Sequence, residues 1–383
     1  MPGKDHVLSE QSAAANHLLL IGGGHAHLAV LADMIERGSA FDHVTLLTPS
    51  EHLQYSGMVP GWIAGRYGPA EGLVDVAALA QRAGAELILA KCTAIDADAR
   101  RVQTDGGQSI AFDIASIDTG GIGRGKKVLG DHPSLIDVRP IGAFVKELST
   151  RLAQESAPVK VAVVGGGAAG FEIAFAVRNA AEIAPAPEVS IVLGQDGALP
   201  GFAPKLARLA MKTLSEQNIA HFNGNAGFAD GALMAGGRPI GDFDLVICAI
   251  GSGAPDWPAD GGLACDHAGF IAVDAHQRSI SHPHIFAVGD VAARQDLTLP
   301  HSGVHAVFAG PVLAQNLRAV AEARTPANTY RPRASSLYLI ATGDGGAIAS
   351  YGRFCARGRW AGRLKHWIDN RWISKYAKLA RGD

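Results

Sequence analysis

The stretch 17–27 reads HLLLIGGGHAH and predicts how this chain begins to fold. Leu18–Ile21 is a short apolar run that stops at three glycines, as buried parallel strands often do. A helical pattern follows over residues 26–37. A strand, a glycine turn and a helix together bring free N–H groups against the pyrophosphate of a dinucleotide. Gly22 and Gly24 fill the first two positions of this fingerprint, and His27 stands where a third glycine or alanine is usual.

A second copy of the pattern lies about 140 residues further on. The apolar run 159–164 leads into GGGAAG, so Gly165, Gly167 and Gly170 complete a GxGxxG fingerprint. The pattern after it predicts a helix over residues 171–182. Two such units in one chain predict an α/β fold with two Rossmann-like dinucleotide-binding domains.

The composition is that of a globular protein. The 383 residues are 48% hydrophobic and 18% charged, with 47 glycines and a net charge of −2. This charge gives no case for nucleic-acid binding. Residues 1–16 lack the apolar core of a signal peptide, and there is no apolar run long enough to cross a membrane. We therefore expect a cytoplasmic protein, either soluble or peripheral on the inner face of the membrane.

The four cysteines are Cys92, Cys248, Cys265 and Cys355, and they lie far apart in the sequence. Because no two of them form a CxxC pair, the sequence predicts neither a metal site nor a local redox disulfide. Most buried single cysteines behave as small hydrophobic residues.

Several segments between the fingerprints carry weaker signals. The strand at 44–47 is followed by Thr48 and then Glu51, which is the candidate acid for an adenosine ribose. Residues 52–68 mix aromatics, glycines and a proline, which is typical of a shaped loop beside a ligand or of an ordinary packed loop. Residues 121–140 resemble a crossover linker. The strand 189–193 ends at Gly194 without a clear acid or arginine, so the coenzyme stays open and leans towards NADH.

The C-terminal segment differs in charge from the rest of the chain. Residues 351–383 hold nine lysines and arginines against two aspartates. Over 360–379 the tryptophans and leucines share one broad helical face. Such a helix fits a peripheral anchor on anionic lipid, packing against the protein, or a homodimer interface.

Four segments, taken in order, resemble the two-domain flavoproteins of the pyridine nucleotide-disulfide oxidoreductase superfamily. They are GGGHAH at 22–27, GGGAAGFE at 165–172, AIGSGAPDW at 249–257 and HIFAVGDVA at 284–292. The chain looks most like type II NADH dehydrogenases and the NADH-dehydrogenase-like module fused to selenophosphate synthase. YSGMVPG at 55–61, LIATGDGGAIAS at 339–350 and LKHWID at 364–369 carry this narrower likeness.

The resemblance implies a glutathione-reductase-like arrangement. Residues 1–120 and 256–330 would form a discontinuous FAD domain, and 121–255 an NAD(P)H domain. Residues 331–383 would form a small C-terminal interface or membrane-association region. The residues implied to bind the cofactors are Gly22, Gly24, His25, His27, Glu51, Thr119, Gly120, Gly165, Gly167, Gly170, Gly289 and Asp290.

The resemblance also implies an activity, in which NAD(P)H reduces FAD and the flavin passes electrons to a quinone or a similar small acceptor. Glu172 would lie near the nicotinamide, and His301 and His305 near the flavin ring, where histidine titrates close to neutral pH. Two alternatives stay open at this point. One is an enzyme like sulfide:quinone reductase, and the other is a flavin-binding partner protein in selenium or sulfur metabolism with little turnover.

Overall fold

The computed structural model describes residues 17–68, 70–152, 159–180, 186–332 and 336–383. The predicted absence of a signal peptide concerns residues 1–16, which lie outside this part of the chain. Two five-stranded parallel sheets form the centre of the molecule, as the two fingerprints predict.

The first sheet begins with the strand of the first fingerprint, whose residues Leu18–Ile21 are fully buried. Leu18 and Leu20 face the helices His25–Arg37 and Gly303–Ala321. The alternate residues Leu19 and Ile21 face an antiparallel three-stranded sheet on the other side. Both faces are covered, which explains the unbroken apolar run. In order across the sheet the strands are Ile285–Ala287, Ile114–Ile117, His17–Ile21, His43–Thr48 and Glu86–Leu89.

The second sheet repeats this plan. Its strands are Leu135–Asp137, Leu245–Cys248, Lys160–Val164, Glu188–Val192 and Ala220–Phe222. One face packs against helices and the other against an antiparallel three-stranded sheet. The two covering sheets are Cys92–Asp96, Arg101–Thr104 and Ser109–Ala111 in the first unit, and Ala226–Ala229, Ala232–Ala235 and Arg238–Gly241 in the second.

Helices of different lengths flank these layers, beginning with His25–Arg37 and Gly303–Ala321 in the first unit. The remaining helices are Val59–Ile63, Val76–Arg82, Gly125–Leu129, Ile141–Leu152, Ala168–Arg178, Pro204–Glu216, Trp257–Asp260 and Arg359–Arg381, with 3₁₀ turns at Ser56–Met58 and Gly289–Val291. Two short strand pairs join His52–Gln54 to Leu73–Asp75 and Ile271–Val273 to Ala292–Arg294.

Three local predictions differ from the structure. The interpretation of 121–140 as a linker is wrong, because Leu135–Asp137 pairs with Leu245–Cys248 as an edge strand of the second sheet. Residues 52–68 are not one loop, since Val59 and Ile63 anchor a short helix in the core of the second unit. The helix predicted over 171–182 begins at Ala168 and ends at Arg178, where the Asn179 side chain donates to the carbonyl of Phe175. Residues 181–182 lie outside the described part.

The C-terminal region connects the two units. The strands Tyr338–Ala341, Ala347–Tyr351 and Phe354–Gly358 form an antiparallel sheet, and Ile340, Ile348 and Cys355 pack into the core of the second unit. The helix Arg359–Arg381 instead packs Tyr376 and Trp372 into the core of the first unit. Trp360 and Trp367 stay 45% and 59% exposed, so the predicted apolar face is only partly covered. No helix in the described ranges is long and apolar enough to span a bilayer.

Candidate active site

The first glycine turn leaves no room for side chains at its two key positions. Gly22 has a φ of +95°, and a Cβ there would lie 2.4 Å from the Asp118 carbonyl oxygen. A Cβ on Gly24 would lie 2.3 Å from Cγ of Asp118. Gly24 is also the N-cap of the helix that begins at His25. The turn therefore presents this helix N-terminus at the carboxyl end of the sheet, where phosphates bind in such folds.

His27 occupies the third fingerprint position and is fully buried. Its Nδ1 lies 2.6 Å from the carbonyl oxygen of Gly22, and its Nε2 lies 2.8 Å from Oγ of Ser116. In the second fingerprint a Cβ on Gly170 would clash with the carbonyl oxygen of Gly165. The first turn therefore has a side-chain hydrogen bond to the carbonyl oxygen of its first glycine, whereas in the second turn the backbone of Gly170 packs directly against the equivalent carbonyl oxygen. Both ring nitrogens have protein partners, so we infer that His27 acts on a cofactor through the shape of the loop.

Asp290 follows the strand Ile285–Ala287 and is 6% exposed. Its Oδ2 accepts a 2.5 Å hydrogen bond from Arg139 and lies 3.4 Å from Oγ of Ser252. Its Oδ1 is buried and has no hydrogen-bond partner among the described residues. Gly289 before it has a φ of +71°, which turns the chain at the sheet edge. The geometry leaves one carboxylate oxygen of Asp290 for a ligand.

His25 provides a second unpaired polar atom in the same region. Its Nε2 is buried without a hydrogen-bond partner in the described part of the chain. The ring lies 5.6 Å from Tyr55 and 5.4 Å from Trp372, centroid to centroid. Burial lowers the pKa of His25 to about 4, so the ring is neutral at physiological pH. Buried polar groups nearly always have partners in a complete structure, which points to a missing ligand here.

His301 and His305 line one cavity of about 320 Å³ together with Asp290. His301 stacks on Phe270 at 3.9 Å, and His305 Nδ1 lies 2.8 Å from the Tyr330 hydroxyl. Burial lowers the pKa of both histidines, so both favour the neutral form. The helix Gly303–Ala321 begins between them. The structure therefore brings together three of the residues that the sequence singled out.

The other residues predicted near the first site lie at its rim. Thr119 is exposed, and Gly120 has a φ of +69° beside Arg139. Glu51 is exposed, and its carbonyl oxygen accepts hydrogen bonds from Val76 and Ala77. The binding of a ribose by Glu51 stays a prediction.

The second glycine turn has the same build with one difference. A Cβ on Gly165 would lie 2.3 Å from the Ala249 carbonyl oxygen, so this glycine is required by packing. Gly167, by contrast, has no atom within 4 Å of an added Cβ. Its backbone is extended, with φ −80° and ψ 177°. The space beside Gly167 is open, as a ligand-binding turn requires.

Glu172, in the helix that follows, belongs to a buried cluster of charges. Its Oε1 accepts a 2.9 Å hydrogen bond from the Ala341 amide. Lys365 donates to Oδ2 of Asp369 at 3.0 Å and to the carbonyl oxygen of Gly57 at 2.7 Å. The side chains of Lys365 and Asp369 are both nearly buried. Tyr55 also interacts with Asp369. We call Glu172, Lys365, Asp369 and Tyr55 the buried charge cluster.

Protonation in the buried charge cluster is set by burial and by mutual charge. Burial raises the pKa of Glu172 and of Asp369, and the attraction of Lys365 only partly offsets this. Burial alone lowers the pKa of Lys365, but Glu172 and Asp369 outweigh it and raise that pKa above its ordinary value. The charge of Lys365 therefore couples to both carboxyl groups, and burial makes each of them hold its proton to a higher pH than an ordinary carboxyl does.

Comparison with known proteins identifies the family. The sequence pattern described as "Pyridine nucleotide-disulphide oxidoreductase" matches residues 16–322. The chain belongs to this family. NADH oxidase of Streptococcus pneumoniae is 25% identical over 331 residues, which are 78% of this chain and 70% of that protein. Dihydrolipoyl dehydrogenase of Haloferax volcanii is 32% identical over 155 residues, which are 37% of this chain and only 31% of that relative. The sulfide:quinone oxidoreductase of Aquifex aeolicus has a similar fold, with a TM-score of 0.75 and 18% identity over 96% of this chain and 92% of that one.

Family membership makes this chain an FAD-dependent oxidoreductase that uses NAD(P)H. The residues present fit FAD at the first glycine turn. Gly22 and Gly24 leave the backbone bare there, and the unpaired atoms Asp290 Oδ1 and His25 Nε2 are buried nearby. The open space beside Gly167 is compatible with the NAD(P)H site that the sequence predicts there.

The family name refers to disulfide chemistry, for which this chain lacks the cysteines. All four cysteines are free, and none is exposed. Burial raises the pKa of Cys92 and of Cys248 to about 12, so both stay thiols. Cys355 is 2% exposed and packs in the core of the second unit. In the described residues there is also no group of three or more side chains that could hold a metal ion.

Proposed function

We propose that this chain is a type II NADH-dehydrogenase-like enzyme that passes electrons from NAD(P)H through FAD to a quinone or a similar small acceptor. The observation that carries the proposal is the buried charge cluster, in which Glu172, on the helix after the second glycine turn, interacts electrostatically with Lys365 on the C-terminal helix. The redox chemistry itself, hydride acceptance and electron delivery, is what bound FAD supplies. The residues of the chain position the partners and handle the protons.

The buried charge cluster is suited to store and deliver a proton. Reduction of a quinone to a quinol takes up two electrons and two protons. A raised pKa keeps a larger fraction of a carboxyl group protonated near neutral pH, as a general acid requires, and Lys365 stabilises the carboxylate form. Tyr55 connects the cluster to His25 and Trp372 through ring contacts of 5.6 and 4.4 Å. We propose that the buried charge cluster supplies protons to the acceptor through the Tyr55 hydroxyl, which interacts with Asp369. Glu172 would lie near the nicotinamide, as the family resemblance implies.

His301 and His305 have a different proposed role. Both are neutral imidazoles at the wall of the cavity that Asp290 also lines. A neutral imidazole donates from one ring nitrogen and accepts at the other, which suits the recognition of a polar headgroup. Sulfide chemistry is disfavoured, because all four thiols are buried or partly buried and none lines this cavity.

The direct test is anaerobic addition of NADH, and separately NADPH, to the yellow protein while the flavin absorbance is recorded. We expect rapid bleaching, followed by recovery of colour when a short-chain quinone is added. No bleaching with either nucleotide would contradict the dehydrogenase and favour a flavin-binding partner protein. Bleaching without recovery by quinones, but with recovery by sulfur or selenium compounds, would contradict the quinone acceptor.

Glu172→Gln tests the cluster itself. The change removes one carboxyl and leaves the size of the side chain, so we expect turnover with quinone to fall by about 10²-fold or more. The pH dependence of turnover should change as well. Glu147→Gln is the matched control, because Glu147 is an exposed glutamate on another helix and, within the described part of the chain, forms an ion pair with Arg151 at i+4. Normal turnover and an unchanged pH profile in Glu172→Gln would remove the cluster from the mechanism.

A further inference from the structure

The two glycine turns differ at one position that the fingerprints do not include. A Cβ on Gly22 would meet the carbonyl oxygen of Asp118, and a Cβ on Gly165 would meet that of Ala249. Asp118 and Ala249 each follow the strand adjacent to the fingerprint strand. They therefore occupy equivalent places, and the FAD site carries a carboxyl group where the NAD(P)H site carries a methyl group.

The Asp118 carboxyl is held tightly against the FAD loop. It is 3% exposed. Its Oδ2 accepts hydrogen bonds from the amides of Ala26 at 2.8 Å and His27 at 3.1 Å. These are N–H groups in the first turn of the helix whose N-terminus faces the pyrophosphate in dinucleotide-binding folds. Its Oδ1 lies 2.8 Å from the place of a Cβ on Gly289.

The charges around Asp118 do not compensate for its ionisation. The negative charge of Asp290, which follows Gly289, opposes a second negative charge on Asp118. Arg139 is already paired with Asp290, and burial keeps the rings of His25 and His27 neutral, with each pKa at about 4. Within the described residues no cation forms an ion pair with Asp118. Burial raises the pKa of Asp118 to about 7 despite its two amide donors.

We propose that Asp118 is a positioning residue of the FAD site that works as the neutral acid, so that FAD binding takes up a proton at this carboxyl. The pyrophosphate of FAD brings two negative charges to the same helix N-terminus. An ionised Asp118 would repel them and would compete for the same partial positive charge. The protonated form keeps the two amide hydrogen bonds and presents no charge. The inference rests on the FAD site and not on the identity of the acceptor.

The sign of the pH dependence follows from linkage. Bound FAD raises the pKa of Asp118 above its value in the FAD-free protein, so the affinity is highest below the FAD-free value and falls as pH rises above it. One proton changes the dissociation constant by at most about tenfold per pH unit. Between pH 6.5 and 8.5 we therefore expect the dissociation constant of FAD to rise by about 10- to 30-fold.

The measurement is release of FAD from diluted holoprotein, followed by the fluorescence of free flavin across this pH range. The same release assay on Asp118→Asn is the control, because its side chain carries no titratable group. We expect FAD affinity of that variant to stay within about threefold over this pH range. An FAD affinity of the parent protein that is constant from pH 6.5 to 8.5 would overturn the proposal.

Two variants then assign the effect to Asp118. Asp118→Asn keeps an oxygen for both amides and cannot ionise, so FAD affinity should match the parent protein at pH 6.5 and stay flat to pH 8.5. Asp118→Ala copies the second site and should also give a flat profile. Asp75→Asn is the matched control, since Asp75 caps a helix by accepting from Ala78 but is exposed. A full alkaline rise in Asp118→Asn, or its loss in Asp75→Asn, would contradict the assignment.

Discussion

Single residues at the FAD site have two kinds of role: some keep a polar atom for a ligand, and others hold the backbone of the glycine loop. Asp290 offers one oxygen to Arg139 and keeps the other unpaired. Asp118 and His27 instead form hydrogen bonds with the backbone of the glycine loop and of the helix that follows it. Asp290, like His25, therefore keeps a buried polar atom available for a ligand, whereas Asp118 and His27 hold the backbone of the glycine loop.

We predict that Asp290→Ala loses FAD. The change removes an oxygen that has no other partner and leaves Arg139 without its counterion in a partly buried place. Loss of a charged hydrogen bond of about 1.5–3 kcal/mol weakens FAD binding by about 10- to 100-fold. The flavin absorbance per protein after gel filtration measures this. Asp296→Ala is the control, because Asp296 lies on the same segment and pairs only with nearby Arg294. Full flavin content in Asp290→Ala would contradict the assignment of Asp290.

Sequence reasoning found the residues of the site that belong to local motifs and missed those that do not. The glycines, Asp290 and Glu172 stand in patterns with a direct physical meaning. Asp118, Arg139 and Lys365 carry no such pattern, since their roles depend on partners far along the chain. Two signals were available. Alignment of the two fingerprint units places Asp118 against Ala249, and Lys365 with Asp369 is an i,i+4 ion pair in a helix.

At the scale of elements, the strand–turn–helix unit occurs twice, and within one unit different glycines serve packing and nucleotide binding. In the second unit, Gly170 is required by packing, whereas Gly167 faces open space. Substitution at these two positions therefore separates folding from nucleotide binding.

We predict that Gly167→Val folds normally, keeps FAD and is no longer reduced by NADH at the parent rate. The backbone at Gly167 is extended, so valine adopts it without strain, and its side chain enters the space that the pyrophosphate needs. Stopped-flow reduction at several NADH concentrations measures the loss, which we expect to exceed about 10²-fold in apparent affinity.

Gly170→Ala should instead destabilise the protein, because its Cβ would overlap the Gly165 carbonyl oxygen. Parent-like reduction of Gly167→Val would place the nucleotide elsewhere.

Elements with long periodic or apolar patterns were predicted well, and short ones were not. Both fingerprint strands and the helix of the first fingerprint, His25–Arg37, lie where the sequence indicated. Leu135–Asp137 is only three residues long and sits among glycines and prolines, so it becomes a strand only because Leu245–Cys248 lies beside it. Tertiary pairing decided its structure, and no local pattern carries that information.

At the scale of the whole molecule, the C-terminal region holds the two units together. Its strands pack into the core of the second unit and its helix into the core of the first. Lys365 and Asp369 on that helix complete the buried charge cluster with Glu172 of the second unit. The predicted domain limits remain a hypothesis, but these contacts show that residues after 336 contribute to both cores.

We predict that deletion of residues 359–383 gives an aggregating protein with little flavin. Removal of the helix exposes the apolar surface that Trp372 and Tyr376 cover. It also removes the Trp372 ring, which stacks on Tyr55 at 4.4 Å and contacts His25. Gel filtration and flavin absorbance report both effects, with deletion of residues 382–383 as the control. A soluble, yellow and monodisperse product would instead support a peripheral anchor. In that case the intact chain, with Trp360 and Trp367 exposed, should sediment with anionic vesicles at low salt and dissociate in part at high salt.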